Sequence, residues 1–158
     1  MATTWSLPAA LSPPLDGRDA VADAIYRVVL GLDTNDLALF ESALTEDAIF
    51  KINDYTMEGL PAIRSGCYDN IAKLDTTHFI SNVRVNIAEG GSTASLSASA
   101  LAQHYRAGTG NEGNAARLLA GALYLVDLVK EEPAGLWKIK SWKMRTNWME
   151  GDKSLVGA

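Results

Sequence analysis

The second half of the chain constrains the fold most, because apolar and polar residues alternate there over long segments. The stretch "THFISNVRVNIAEGGSTASLSASALAQHYRAG" is interrupted by Glu89-Gly90-Gly91, a typical turn signal. Two further segments, "ARLLAGALYLVDLVKEE" and "LWKIKSWKMRTNW", are separated by Pro133-Ala134-Gly135. This pattern predicts four long antiparallel strands that are joined by hairpin turns and loops.

The first half of the chain shows apolar residues at the spacing of helices. "DGRDAVADAIYRVVLGLDTND" predicts a first helix, and "TNDLALFESAL" a second, with Thr34 or Asn35 as its N-cap and Asp36 in its first turn. "TEDAIFKIND" switches to a short strand, and "EGLPAIRSGCYDNIAKL" predicts a third helix. We therefore expect an α+β fold, in which about three N-terminal helices pack on a strongly curved antiparallel sheet and enclose a pocket.

The length of 158 residues is typical of one domain with a sizeable core. We expect this domain to span residues 19–155. Residues 1–18 contain three prolines and predict an extended N-terminal arm, and residues 156–158 form a short tail.

Composition and charge argue against several classes of protein. With a formal net charge of −5, the chain lacks the basic surface of nucleic-acid-binding proteins. We expect no membrane association, because no apolar run approaches the ~20 residues needed to span a bilayer and no signal-like segment opens the chain. The single cysteine, Cys67, excludes an internal disulfide and a cysteine-based zinc site. It suits a reducing compartment, and we expect a cytoplasmic protein.

The order of the elements and several motifs resemble the NTF2-like superfamily, in its SnoaL-like and scytalone dehydratase branch. "LDTNDLALFESAL" resembles the end of the first helix in that family, where an aspartate points into the cavity. "TTHFISN" and "LAQHYRAG" resemble the segments that supply two histidines, and "GLWKIKSWKMRTNWMEG" resembles the last strand. The resemblance covers roughly residues 19–155 and implies a cone-shaped fold with an internal site.

The resemblance implies that Asp33, His78 and His104 form an acid–base site. Dehydration or enolisation beside a carbonyl needs a base for a carbon-bound proton and an acid for the leaving hydroxyl or the enolate oxygen. A histidine can serve in either role when a carboxylate fixes its tautomer. Leu32 and Ile52 occupy the places of two tyrosines that hold the substrate carbonyl in scytalone dehydratase, so scytalone itself is not the expected substrate.

The strand patterns treat the two histidines differently. His104 shares an apolar, small-residue face with the residues two, four, six and eight positions before it, which leaves room for a cavity. Counting back from Val83, Val85 and Ile87 places His78 on the opposite face, unless a β-bulge intervenes. From the residues alone, each histidine is more simply an ordinary strand residue, and Asp33 a helix end.

Other side chains could hold a substrate. Tyr26 lies seven residues before Asp33, so a helix would carry both on one face. Arg145 resembles an arginine that some bile-acid dehydratases of this superfamily place near their aspartate–histidine pair. The expected substrate-binding residues are Tyr26, Asn53, Tyr55, Tyr124, Arg145 and Trp148.

These observations predict a lyase or isomerase of the dehydratase or cyclase type, acting on a small polyketide-like or aromatic carbonyl compound in secondary metabolism. We expect neither a metal nor another cofactor. The alternative is a non-catalytic NTF2-like module for small-ligand binding or dimerisation. The strand from Ala116 to Lys130 is apolar on both faces, which predicts a homo-oligomer, with a dimer favoured over a trimer.

Overall fold

The structure, a computed structural model, describes residues 5–157 and contains helices followed by a long-stranded sheet. The helical elements are α1 (Gly17–Asp33), α2 (Leu37–Ser42), α3 (Leu60–Ile63), a π-helical turn (Arg64–Tyr68), α4 (Asp69–Ile71) and a 3-10 helix (Lys153–Val156). The strands are β1 (Leu44–Ile52), β2 (Tyr55–Glu58), β3 (Asp75–Ile87), β4 (Thr93–Tyr105), β5 (Arg117–Glu131) and β6 (Leu136–Gly151). The α+β class and the two predicted turns are confirmed.

The six strands form one sheet in the order β2-β1-β6-β5-β4-β3. Strands β3 to β6 are antiparallel neighbours, as the hairpin signals predicted. The expectation of a wholly antiparallel sheet was wrong, because β1 pairs with β6 in parallel. Most of the chain lies between these two strands, so no short turn fixes their relative direction and side-chain alternation carries no information about it.

Two local features differ from the sequence prediction. Strand β2 was not expected; it pairs with β1 through a turn in which Asn53 adopts a left-handed φ of 52°. Asp36 is the N-cap of α2, and its carboxylate accepts a hydrogen bond from the backbone N–H of Leu39 at 3.0 Å. The predicted caps, Thr34 and Asn35, lie in the preceding turn, where Asn35 has a φ of 53°.

The helices pack on the concave face of the sheet, and Arg27 of α1 helps to fix them there. Its side chain is buried and donates to the carboxylate of Asp23 at 2.8 Å, to the carbonyl of Ser42 at 2.7 Å and to the carbonyl of Trp137 at 2.6 Å. Burial lowers the pKa of the guanidinium, and Asp23 opposes that change. One side chain therefore joins α1, the end of α2 and β6.

The described part of the N-terminal arm contacts the domain rather than extending from it. Ser6 donates a hydrogen bond to Asp36 at 2.9 Å. Residues 9–11, 14 and 15 line a groove with Ala20 and Trp137. Residues 1–4 of the predicted arm and residue 158 of the predicted tail lie outside the described residues. Within residues 5–157, no helix combines the length and apolar character that crossing a bilayer requires.

Candidate active site

A cavity of about 210 Å³ lies between the concave face of the sheet and the helices. Its wall is mostly apolar. At one end it is bordered by Leu118 and Val156, and at the other by the stacked rings of Phe50 and Trp142, whose centroids are 3.7 Å apart. Polar atoms are few and come from His78, His104, Tyr124, Cys67, Asn53, Asn70 and Thr146.

Small side chains on the two central strands create the space. Ala100 and Ala102 of β4 lie opposite Ala122 and Ala120 of β5, and all four line the cavity. The preceding inward residue of β4, Ala98, is also small and buried. The predicted small-residue face of β4 therefore exists and ends at His104.

Asp33, the last residue of α1, forms a dyad with His78 of β3. The Nδ1 atom of His78 lies 2.6 Å from Oδ1 of Asp33, and the backbone N–H of His78 donates to Oδ2 at 2.8 Å. Thr76 donates its hydroxyl to Oδ1 at 2.8 Å. Both side chains of the dyad are largely shielded from solvent, with 8% of His78 and 13% of Asp33 exposed.

A β-bulge turns His78 towards the cavity. In the pairing with β4, Ser81 lies opposite Ser99 and Arg84 opposite Ser97, so β3 contains one extra residue between the two pairs. Asn82, within this bulge, has a left-handed φ of 54°. Residues 76, 78 and 80 therefore share the inner face with 83, 85 and 87, and the simple count that placed His78 outside was wrong.

His104 of β4 is 5% exposed and meets His78 edge to face, with ring centroids 5.6 Å apart. Its Nδ1 atom lies 3.2 Å from the carbonyl oxygen of Leu118. Burial lowers the pKa of His104, the nearby His78 lowers it further, and the contacts with Leu118 and Asp33 oppose this change. His104 is therefore held as a neutral imidazole near neutral pH.

The partners of the two Nδ1 atoms assign the tautomers. A carbonyl oxygen and a carboxylate can only accept hydrogen bonds, so Nδ1 of both rings carries the proton. In the neutral form of each ring, Nε2 is then unprotonated and can accept a hydrogen bond or a proton. Two imidazoles and one carboxylate are thus arranged so that Nε2 of His78 can take up a proton while Asp33 stabilises the resulting imidazolium.

Tyr124 and Cys67 complete the inner wall as protonated groups. Burial raises the pKa of Tyr124 well above its usual value, and the charges of Cys67 and Asp33 add to this effect. Burial alone raises the pKa of the Cys67 thiol to about 12, so the thiol stays protonated in the cavity wall. No hydrogen bond of the Tyr124 hydroxyl occurs among the described residues, which leaves it as a donor for a ligand.

Asn53 and Tyr55 lie at the rim of the cavity. The amide of Asn53 is engaged by Thr146, donating to its hydroxyl at 3.3 Å and accepting from its backbone N–H at 2.9 Å. Tyr55 is 62% exposed, and its hydroxyl lies beside Gly66, which lines the cavity. Asn53 is thus part of the cavity lining, whereas Tyr55 lies outside it and could contact a ligand only as it enters.

Three expected substrate-binding residues are not in the cavity. Arg145 pairs with Leu123, and Trp148 packs against Gly121; both lie on the outer face of the sheet. Trp148 follows Asn147, an extra residue in β6 that leaves Met149 facing inwards instead. Tyr26 is exposed and lies about 10 Å from Asp33 along α1, given a rise of ~1.5 Å per residue.

Sequence reasoning overlooked Thr76, the third donor to the Asp33 carboxylate. Its position two residues before His78 was the available signal, because residues i and i+2 of a strand share a face. Within residues 5–157, no group of three or more histidine, cysteine, aspartate and glutamate side chains has an arrangement suited to holding a metal ion.

The SnoaL-like domain family matches residues 13–143 of this chain. The chain belongs to the SnoaL-like domain family. "Terrestric acid biosynthesis cluster protein E" from Penicillium crustosum is 55% identical over 152 residues, which is 96% of this chain and 97% of the relative. This match extends over nearly the whole of both proteins.

Solved structures show the same fold. A candidate scytalone dehydratase from Novosphingobium aromaticivorans superposes with a TM-score of 0.72 at 20% identity, over 85% of this chain and 87% of that one. Hexachlorocyclohexane dehydrochlorinase type 3 from Novosphingobium barchaimii superposes with a TM-score of 0.68 at 19% identity, over 86% of this chain and 90% of that one. At this level of identity the likeness establishes the NTF2-like fold, as predicted, and does not transfer an activity.

Proposed function

We propose that this protein is a cofactor-independent lyase or isomerase that removes a proton beside the carbonyl group of a small organic substrate. The observation that supports this most strongly is the 2.6 Å contact between His78 and Asp33 at the end of an apolar cavity, with His104 edge-on beside it. A non-catalytic binding module has no need for a buried carboxylate that orients an imidazole.

In the proposed mechanism, His78 is the base. Its Nε2 takes the carbon-bound proton, and the electrons of the broken C–H bond move into the carbonyl to give an enolate. Asp33 stabilises the imidazolium that forms, as a carboxylate does when it accepts from Nδ1–H. Returning the proton to another carbon gives isomerisation, whereas delivering it to a β-hydroxyl expels water and gives dehydration.

Tyr124 and His104 have different parts in this proposal. The Tyr124 phenol stays protonated, so it can donate to the carbonyl oxygen and stabilise the enolate. Neutral His104 presents only a lone pair at Nε2, so it accepts a hydrogen bond from a substrate hydroxyl and orients it. Tyr124 thereby takes over the task for which Leu32 and Ile52, both apolar wall residues, are unsuited.

The cavity favours an uncharged substrate. Among the described residues, neither lysine nor arginine lines it, and its wall is dominated by alanine, leucine, methionine and aromatic side chains. The relative from a terrestric acid biosynthesis cluster supports a role in secondary metabolism. We infer a small polyketide-like or aromatic carbonyl compound that carries a hydroxyl or enol group.

Proton abstraction can be tested before the reaction class is known. A strain lacking the gene should accumulate the substrate, which is identified by comparing its metabolites with those of the parent strain. The purified compound is then incubated with the protein in D₂O. Deuterium incorporation next to the carbonyl is expected with the wild type and not with His78→Ala, whereas tight binding without exchange or turnover would indicate a binding module.

We also propose that the protein is a homodimer. Large apolar side chains are exposed on the outer face of the sheet: Phe79, Leu101, Leu123, Leu125 and Trp148 are 38–60% exposed. Exposed apolar groups of this size on neighbouring strands are typical of protein interfaces. A light-scattering mass of about two protomers of 16.9 kDa is expected, and three protomers would indicate the trimer.

A further inference from the structure

We propose that Thr76 is a positioning residue that weakens the basicity of the His78–Asp33 dyad by donating its hydroxyl to the carboxylate oxygen that also accepts from His78. This inference rests on the proposed function for its catalytic consequence. The hydrogen-bond arrangement on which it depends, one carboxylate oxygen that accepts from both Thr76 and His78, can be examined without any substrate.

The shared acceptor is Oδ1 of Asp33. Thr76 Oγ1 lies 2.8 Å from it and His78 Nδ1 lies 2.6 Å from it. Each donor withdraws negative charge from this oxygen, so the two hydrogen bonds compete for the same electron density. The carboxylate does not need Thr76 for its orientation, because the backbone N–H of His78 already holds Oδ2 at 2.8 Å. The hydroxyl therefore acts mainly through charge.

Thr76 is placed to act on both histidines. It lies two residues before His78 on the inner face of β3, and it is directly opposite His104 in the pairing with β4. The positive end of its O–H dipole points at Asp33 and lies close to the ring that becomes an imidazolium. Losing this hydroxyl should therefore strengthen the hydrogen bond that His78 donates to Asp33.

The other titratable groups that face His78 are already accounted for. Asp33 of α1 contacts His78 directly and His104 of β4 packs edge to face with its ring, whereas Tyr124 of β5, Cys67 of the π-helical turn and the neutral Met149 of β6 line the same cavity. Of these, only Asp33 stabilises the imidazolium by a direct hydrogen bond. Changing the number of donors on Asp33 is therefore the most direct way to change the basicity of the dyad.

The test uses Thr76→Val, which replaces the hydroxyl with a methyl group of similar size, and Thr76→Ser, which keeps the hydroxyl. In the proton NMR spectrum of the full chain, the Nδ1–H of His78 should give a far-downfield signal. It should move further downfield in Thr76→Val, because Oδ1 then accepts from His78 alone. Thr76→Ser should leave it in place, as should the control Thr146→Val, a wall threonine bonded to Asn53.

A second readout is the pH profile of kcat/KM on the substrate identified above. The acid limb of the profile should move to higher pH by about half a unit in Thr76→Val. This shift is smaller than the one a full charge beside the dyad would cause, because the hydroxyl is only a dipole. Activity on the alkaline side should be kept, whereas a purely structural role would lower the rate equally at every pH. Thr76→Ser should restore the wild-type profile.

The two readouts separate the two proposals. An NMR shift in a protein that proves to be only a binder would support the role of Thr76 and refute the proposed function. An unchanged signal in Thr76→Val, or a Thr76→Ser protein that behaves like Thr76→Val, would refute the role of Thr76 whatever the activity. Thr76→Ala serves as the hydroxyl-free variant if Thr76→Val does not fold.

Discussion

In the middle of the central strands β4 and β5, the two faces of the sheet differ in the size of their side chains. The inner face carries Ala100 and Ala122, whereas the next residues along the chain, Leu101 and Leu123, point outwards and are 39% and 38% exposed. An ordinary sheet buries its large apolar residues and exposes small or polar ones. This local reversal supports the proposals that the inner face binds a small molecule and that the outer face packs against a second copy of the chain.

The largest effect should come from removing the chemistry of the inner face. His78→Ala and Asp33→Asn should each lower kcat/KM by about 10²–10⁴-fold, because a proton-transfer group or its orienting partner is lost. His104→Ala should lose less, about tenfold, because it removes one hydrogen bond to the substrate hydroxyl and no proton-transfer group. Steady-state kinetics on the substrate found in the deletion strain measures this.

Arg145→Ala is the matched control for the outer face. Its side chain lies on the far side of the sheet from the cavity, so the rate should stay within about twofold of wild type, as expected of surface substitutions. Wild-type rates in all three inner-face variants would contradict the acid–base mechanism.

A charge on the outer face should break the dimer. Leu123→Glu places a carboxylate in the centre of the exposed apolar face, where pairing of two copies would bring like charges together at a cost of several kcal/mol. Light scattering at micromolar concentration should then give the mass of one protomer. A wild-type protein that is already a single protomer would remove this interpretation of the outer face.

Filling the cavity should separate binding from folding. Ala122→Leu adds three carbon atoms to the inner wall, and we expect kcat/KM to fall by at least about tenfold, the effect of a methylene-sized change in a binding pocket. Leu123→Ala, the neighbouring outward residue, should leave it nearly unchanged. Equal losses in both variants would mean that the two faces do not differ in function.

The smallest effect should be a pH dependence of stability from His104. Its pKa is lowered in the folded protein, mainly by burial, so its stabilising contribution is complete above the unfolded value of about 6.5 and is lost as pH falls through the folded value. The free energy of unfolding should therefore decrease below about pH 6.5. His104→Gln should flatten this decrease in urea titrations, and an unchanged slope would contradict it.

Much of the fold could be predicted from the sequence, because side-chain period and turn residues are local signals. The hairpin turns and α1 follow from such signals. The parallel pairing of β1 with β6 could not be predicted, since it depends on contacts between segments that are distant in the chain. Strand β2, only four residues long, was concealed in what looked like a polar turn before a helix.

The candidate site was predicted less evenly. Asp33, His78 and His104 do meet, as the family resemblance implied, whereas the residues alone placed only His104 on a small-residue face and gave none of the three a catalytic role. Arg145 was expected in the cavity from its resemblance to an arginine of related dehydratases, but it pairs with the outward Leu123. Trp148 lies outside because the face of a strand residue depends on register, and β6 contains an extra residue at Asn147. Thr76 was overlooked because its signal, the two-residue spacing to His78, is useful only once the face of His78 is known, and the simple count put His78 on the outer face.

Because of the bulge at Asn82, the face of β3 on which His78 lies depends on the number of residues in the strand. Deleting this one residue would restore regular pairing and would move either residues 75–81 or the rest of β3 to the opposite face. No amino acid of the dyad would change, yet His78 could lose Asp33. The history of such a site is therefore recorded in insertions and deletions as well as in substitutions, and a comparison of relatives that disregards gaps would miss where the pairing of His78 with Asp33 arose.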